Sequence, residues 1–274
     1  MSDIKNALDL VRSRRSVRTF DGRALSSAEL DDILGFANSV ETPYDLPFTW
    51  RILNAKENGL SSPVITGTDT YIAGKMVRVP CAEEAFGYAF ERIVLYIQSK
   101  GIGTTWIGGT MDRAAFERAM KLGEDEVMPI VSPLGYPAAR MSLRESMMRK
   151  GVKADVRLKF EELFFRDSFD TPLQEADASD LKDTLEMVQW APSAVNKQPW
   201  RLVICGDTVH FYEKQSKGFV DGKGWDMQKI DMGIALCHFA CGMEAQQRRV
   251  EFSLKDPGIP APAGTVYIAS YRIL

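Results

Sequence analysis

The residues best suited to chemistry fall in two groups far apart in the chain. Near the start, Arg14-Arg15-Ser16-Val17-Arg18 places three arginines and a serine within five positions. A guanidinium is a planar fork of donors that matches two oxygens of one phosphate, and a serine hydroxyl adds a further donor. Taken by itself, the run also fits a solvated basic helix end, where cations are mildly favourable. Much later, Trp190 to Arg201 reads WAPSAVNKQPWR. An apolar stripe at helical spacing (Leu181, Leu185, Val188) stops at Ala191-Pro192, because the residue before a proline is pushed out of the helical region. Ser193 and Asn196 then sit in a polar loop, where short side chains bond backbone or ligand. Leu202-Val203-Ile204 follows as a buried strand. Loops held between such elements often carry ligand sites, although a well-packed helix-to-strand turn accounts for the local pattern as well.

The elements that must position these groups are legible from periodicity. Residues 2–13 read as an amphipathic helix with Ile4, Ala7, Leu8 and Val11 on one stripe. Ser26 or Ser27 caps the next helix, with Glu29 in its first turn and Leu30, Ile33, Leu34 and Ala37 facing inward. Trp50–Leu53 and Tyr71–Val79 have strand character, with an irregular polar stretch over 55–70 between them. Glu83–Lys100 is the clearest helix of the first half. Its broad apolar face (Phe86, Ala89, Phe90, Ile93, Val94, Ile97) predicts burial between layers. Gly101-Ile102-Gly103 ends it, Thr104–Ile107 reads as a short strand, and Gly108-Gly109 precedes a helix at Asp112. Paired glycines let a backbone approach a flat ring closely, and they also make plain turns. Ile130–Leu134 is a further strand, ending at Gly135-Tyr136-Pro137, and the basic stretch 138–160 reads as a linker.

Composition narrows the class of function. The 274 residues suffice for one large domain or two small ones. A net charge of −3 offers no general field for nucleic acid or an anionic membrane. No apolar run approaches the ~20 residues needed to span a bilayer. The opening MSDIKNALDLVRSRRS lacks the apolar core of a signal peptide, which places the protein in the cytoplasm. Cys81, Cys205, Cys237 and Cys241 form no C-x-x-C pair. With only His210 and His238 beside them, a metal site is hard to assemble, and the cysteines are expected to be small buried packing residues.

WAPSAVNKQPWRLVI, RRSVR, GIGTTWIGG and GYP together resemble the FMN-dependent nitroreductase and flavin reductase family, over most of the chain. The resemblance implies an α+β fold, a mixed and mostly antiparallel sheet flanked by helices. It implies FMN as cofactor, NADH or NADPH as donor, and a nitroaromatic or quinone acceptor used by a ping-pong route, with no catalytic side-chain acid or base. In that family the basic run grips the FMN phosphate and ribityl chain, matching Arg14, Ser16 and Arg18, with Arg15 adjacent. The A-P-S-x-x-N loop lines the ring, matching Pro192, Ser193, Ala194 and Asn196. The diglycine, here Gly108 and Gly109, presents backbone N–H groups at the reactive edge. The tail RLKFEEL is similar to the family's R-R-P-L-E-E-L, which makes Arg157 the phosphate-reaching residue. Here the proline and second arginine are missing, and Arg140 is the alternative.

The second half repeats the first. Phe20-Asp21 matches Phe169-Asp170, AELDDIL matches SDLKDTL, and Trp50-Arg51 matches Trp200-Arg201 at an offset of 200 − 50 = 150. Gly87 matches Gly233 at 233 − 87 = 146. A near-constant offset over several elements indicates tandem duplication, with halves at 1–150 and 151–274. The copies have diverged in a complementary way. The first keeps RRSVR and has TPYDLPFTW in place of the loop; the second keeps the loop and has FFRDSF in place of the arginines. Family members are homodimers whose sites draw on both subunits. The expectation here is therefore a fused pseudo-dimer, monomeric or itself a homodimer, with one intact FMN site per chain, or one completed between chains by swapping. The rival expectations are a flavin-binding or flavin-free protein without turnover and, ranked below it, a binder of some other phosphorylated ligand.

Overall fold

The computed structural model describes residues 4–220 and 225–274. Two compact units interleave along the chain. One comprises residues 14–82 and 89–153; the other joins the chain up to Ser13 and residues 83–88 to residues 154–274. Each unit carries its own sheet, and the architecture is α+β, mostly antiparallel strands flanked by helices, as the sequence predicts.

In chain order, α1 (Ile4–Ser13) buries Ala7, Leu8 and Val11, the predicted stripe. Residues 2 and 3 of the predicted helix lie outside the described residues. α2 (Ser27–Ser39) starts from Ser26, whose hydroxyl accepts the Glu29 amide while the Glu29 carboxylate accepts the Ser26 amide. This reciprocal box satisfies donors that a helix start leaves open. β1 (Thr49–Asn54) leads into α3 (Ala55–Asn58), a single turn that Asn54 caps inside the stretch expected to be irregular. β2 (Thr70–Val77) pairs antiparallel with β1, and α4 (Ala82–Ser99) buries the apolar face read from the sequence. α5 (Arg113–Met120), β3 (Glu126–Val127) and β4 (Val131–Leu134) follow, with both strands pairing to β2.

α6 (Leu143–Gly151), capped by Ser142, occupies the segment read as linker. α7 (Phe160–Leu163) runs into β5 (Phe164–Arg166), which is parallel to β6 (Trp200–Cys205). Between them α8 (Lys182–Gln189) ends before Pro192. β7 (Thr208–Lys214), α9 (Met227–Ala245), β8 (Val250–Ser253) and β9 (Thr265–Ile273) complete a sheet of order β5-β6-β7-β9-β8. α1 packs on α8 and α9 of the same unit, and Arg12 pairs with Glu186.

Two local expectations are corrected. Thr104–Ile107 forms isolated bridges, Thr104 with Ser16 and Ile107 with Val131, rather than a strand. The adjoining glycines, at 101, 103, 108 and 109, weaken a continuous ladder here. Cys237 and Cys241 are buried, but Cys81 and Cys205 are half-exposed, because they sit at element ends rather than on a core face.

The duplication is visible where α9 meets the Glu83–Tyr88 segment of α4. A Cβ on Gly87 would lie 2.0 Å from the Ile230 carbonyl oxygen, and a Cβ on Gly233 would lie 2.0 Å from the Glu84 carbonyl oxygen. Each glycine therefore faces the residue three positions before the other glycine. Such reciprocity is what a local two-fold relation between two copies produces. Gly87→Ala or Gly233→Ala should lower stability by about 1–3 kcal/mol or more, since backbone, not a movable side chain, must yield. Gly35→Ala, at an open helical position in α2, should raise it by roughly 0.5–1 kcal/mol. Denaturant midpoints of the three variants check both signs.

Candidate functional site

Within the unit of residues 14–153, three of the motifs come together. Val17 donates its amide to the Thr104 carbonyl at 2.8 Å, and Gly103 donates to the Gly135 carbonyl at 2.8 Å. Phe20 bridges to Pro137, and the Asp21 amide reaches the Tyr136 carbonyl at 3.0 Å. Side chains at the crossing points would block this. A Cβ at Gly103 would meet Val17 at 2.9 Å, and one at Gly135 would meet the Phe20 ring at 2.9 Å. RRSVR, GIGTTWIGG and GYP are thus one backbone assembly.

The arginines of that assembly are only partly paired. Burial draws the Arg14 guanidinium below its ordinary pKa, with Glu91 opposing the shift and Arg149 adding to it. Its Nε and Nη1 are shut off from solvent and have no hydrogen-bond partner among the described residues. Arg18 is likewise lowered by burial, again with Glu145 opposing and Arg149 adding. Arg15 lies 3.4 Å from Glu145, a carboxylate that is 1% exposed and whose Oε2 is also unpartnered. Glu91 accepts the Trp106 indole N–H at 3.2 Å. Glu91 thus acts on Arg14, and Glu145 on Arg15 and Arg18, while Arg149 adds a further positive charge beside Arg14 and Arg18. A buried cation without a partner is costly, and the arrangement fits a dianionic group such as a phosphate monoester.

Gly108 and Gly109 lie at the surface of the same unit, Gly108 half-buried and Gly109 exposed. Arg113 fixes their turn from below. Its guanidinium donates to the carbonyls of Gly108, Met128 and Pro129. Those bonds orient the peptide planes around Gly108.

Pro192, Ser193, Ala194 and Asn196 lie in the other unit. Ser193 is extended, and the chain then turns through left-handed backbone at Val195 (φ 44°), Asn196 (φ 58°) and Gln198 (φ 50°). A β-branched residue in that region is strained. Several bonds hold the turn. The Ser193 hydroxyl accepts the Gln198 amide at 2.8 Å, and the Asn196 side-chain amide donates to Val156 O at 2.9 Å. Gln198, 3% exposed, accepts the Leu158 amide at 2.9 Å. Both oxygens of Asp231 accept the Ala194 amide, at 3.0 and 3.1 Å. Arg157, also in this unit, donates to the carbonyls of Ala154, Val156 and Trp190 and lies 4.8 Å over the Trp190 ring. Arg140 is exposed in the unit of residues 14–153.

An acidic group underlies this loop. Burial raises the pKa of Asp231, the Ala194 amide opposes the shift, and Glu213 and Asp226 add to it. Glu213 is pushed up to about 8, first by burial and then by Asp226, with Lys229 opposing and Glu84 adding.

Several of these residues escape the sequence reading. Glu145 and Arg149 stand on α6, whose start was signalled by Ser142-x-x-Glu145, a helix-cap spacing. Glu91 sits on α4 among core residues. Asp231 carries no local signal, since its partner Ala194 lies 37 residues away; Arg113 stands in no motif, and Gln198 lies inside the quoted loop without having been singled out.

The profile of the family described as "Putative TM nitroreductase" matches residues 6–243. The chain belongs to this nitroreductase family. Its fold is similar to that of a "putative nitroreductase" from Thermotoga maritima msb8, with 21% identity, TM-score 0.61, and coverage of 97% of this chain and 92% of that one. A "Putative NADH dehydrogenase/NAD(P)H nitroreductase" from Bacteroides thetaiotaomicron VPI-5482 aligns at 21% identity and TM-score 0.43, over 50% of this chain and 89% of that one. An "FMN-dependent Nitroreductase" from Clostridium difficile R20291 aligns at 15% identity and TM-score 0.41, over 52% of this chain and 94% of that one. A search of curated proteins finds no match.

Two predictions test this chemistry in the nitroreductase-family chain. Millimolar inorganic phosphate should raise the melting temperature of the wild type more than that of Arg14→Met, measured by thermal shift. Equal shifts would show only the general stabilising effect of the salt. The folded-state pKa of Glu213 lies above its ordinary value of 4.5. The folded chain therefore keeps a proton that the unfolded chain has released, and stability falls as pH rises from about 4.5 to about 8. Glu213→Gln should flatten that fall in a pH series of denaturant midpoints.

Proposed function

We propose that the chain is an FMN-dependent oxidoreductase that takes reducing equivalents from NADH or NADPH and passes them to a small acceptor such as a nitroaromatic or a quinone. One observation carries the reading. The arginine run that resembles the family's phosphate grip holds Arg14, whose Nε and Nη1 are closed to solvent and have no partner among the described residues. Arg15 and Arg18 share Glu145, and the charge of Arg149 acts on both Arg14 and Arg18. An anion is what such donors need. Membership of the nitroreductase family supports FMN as its bearer.

In this reading Arg14, Ser16 and Arg18 take the phosphate, with Arg15 held beside them by Glu145. Arg149 is the further cation that sequence alone did not assign. Pro192, Ser193, Ala194 and Asn196 are the proposed ring contacts. Gly108 and Gly109 present backbone N–H groups, and Arg113 fixes their orientation. Arg157 holds the segment leading to the ring loop. FMN, when bound, would supply the redox-active ring that accepts and returns the electron pair, and the protein supplies binding, orientation and electrostatics. No side-chain acid or base is assigned, and donor and acceptor are used in turn. The stoichiometry proposed is one flavin per chain.

The test is reconstitution. The purified protein, incubated with excess FMN and desalted, should keep a flavin absorption band close to one per chain and then oxidise NADH or NADPH when an acceptor is added. Arg18→Ala should weaken FMN binding by about 1.5–3 kcal/mol, the size of a charge-assisted hydrogen bond, read by fluorescence titration. Unchanged affinity would remove Arg18 from the phosphate site. Failure to retain flavin under any condition would end the oxidoreductase reading.

A further inference from the structure

The acidic group beneath the 192–198 loop has no part in the chemistry above, yet it touches the loop directly. Asp231 stands on the first turns of α9, 3% exposed, and accepts the Ala194 amide with both carboxylate oxygens. Bonds from within the turn and from the preceding 156–158 stretch also shape it: Ser193 with Gln198, Asn196 with Val156, and Gln198 with Leu158. Asp231 instead ties it to a long helix. The tie sits just before three left-handed residues, Val195, Asn196 and Gln198. Such backbone is strained and persists only where the surroundings impose it.

We propose that Asp231 is a proton-sensitive positioning residue for the 192–198 loop, its ionised carboxylate holding the Ala194 amide and so the strained turn that follows. As a positioning residue for the flavin, it rests on the assignment of that loop under Proposed function. A charge-assisted bond is roughly twice as strong as its neutral counterpart, so protonation of Asp231 loosens the hold. The groups facing it favour that protonation. Glu213 from β7 and Asp226 at the start of α9 lie nearest. Lys229 and Glu84, from α9 and α4, reach the same group through Glu213, the lysine opposing and the glutamate adding. Burial acts in the same direction as the carboxylates, and the Ala194 amide acts against them. The loop is therefore set firmly at high pH and released as pH falls through the raised value.

The experiment is amide hydrogen exchange of the flavin-free, full-length chain. The Ala194 to Gln198 segment is followed across the whole pH range in which the chain stays folded, corrected for intrinsic rates and referenced to amides of α9. In the wild type, protection of the segment should climb with pH by roughly tenfold relative to the reference. Asp231→Asn, which keeps an acceptor oxygen without charge, should hold intermediate protection that no longer changes with pH. Asp231→Leu should lose it. A wild-type profile that is flat against pH, or an Asp231→Asn profile that still follows pH, overturns the proposal even if Asp231→Leu does not fold. FMN titration of the same variants separates the two claims. If Asp231→Asn flattens the exchange profile and FMN affinity is unaltered, the loop is positioned by Asp231, and its assignment to the flavin falls instead.

Discussion

The approach of α9 to the Glu83–Tyr88 segment of α4 is the contact on which the rest of this chain hangs. Gly87 and Gly233 remove the two side chains that would separate the backbones, so carbonyl oxygens sit where Cβ atoms would otherwise be. Contact at this distance fixes both the separation and the rotation of α9. Ile230, whose carbonyl oxygen packs against Gly87, is followed directly by Asp231, which grips Ala194. A helix placed by its glycines thus places the acid that holds the loop. The same reciprocity is the physical trace of the duplication, because two copies of one helix meet through the same position in each.

Electrostatic cost runs through both units, with opposite signs. In one, Arg14 keeps two donors out of water without an acceptor among the described residues, and burial lowers its affinity for its own proton. In the other, Asp231 and Glu213 are buried among further carboxylates, and burial raises theirs. Neither arrangement favours the fold by itself. In the proposed reading each is preparation: the cation for an anionic ligand, the acid for control over a strained loop. Proteins tend to concentrate such perturbed groups and strained backbone where they function.

Much of the proposed site could be named from the sequence because its residues announce themselves by type and spacing. RRSVR, the diglycine and the Pro192–Asn196 loop were all readable, as were the capping box at Ser26 and Glu29 and the broad face of α4. Other features were misread for specific reasons. Thr104–Ile107 has strand-like residues, but its pairing is broken into single bridges by the glycines around it. Residues 138–160 look like a linker by composition, yet Ser142 caps α6 and brings Glu145 and Arg149 to the arginines. Arg157 sits at a position similar to the family's phosphate-binding tail, while its guanidinium is engaged by three carbonyls and the Trp190 ring.

The sequence by itself determined many of the elements and their apolar faces, the duplication and the family, since all of these follow from short-range periodicity, capping chemistry and local motifs. Only the tertiary structure decided which charges meet. Glu145 joins Arg15 across more than a hundred residues, Asp231 reaches Ala194, and Gln198 takes the Leu158 amide. The physical reason is range. Periodicity is written over a few residues, whereas the partner of a buried polar group is selected by whichever distant element the fold brings within three or so ångströms, and that selection leaves no local mark on the chain.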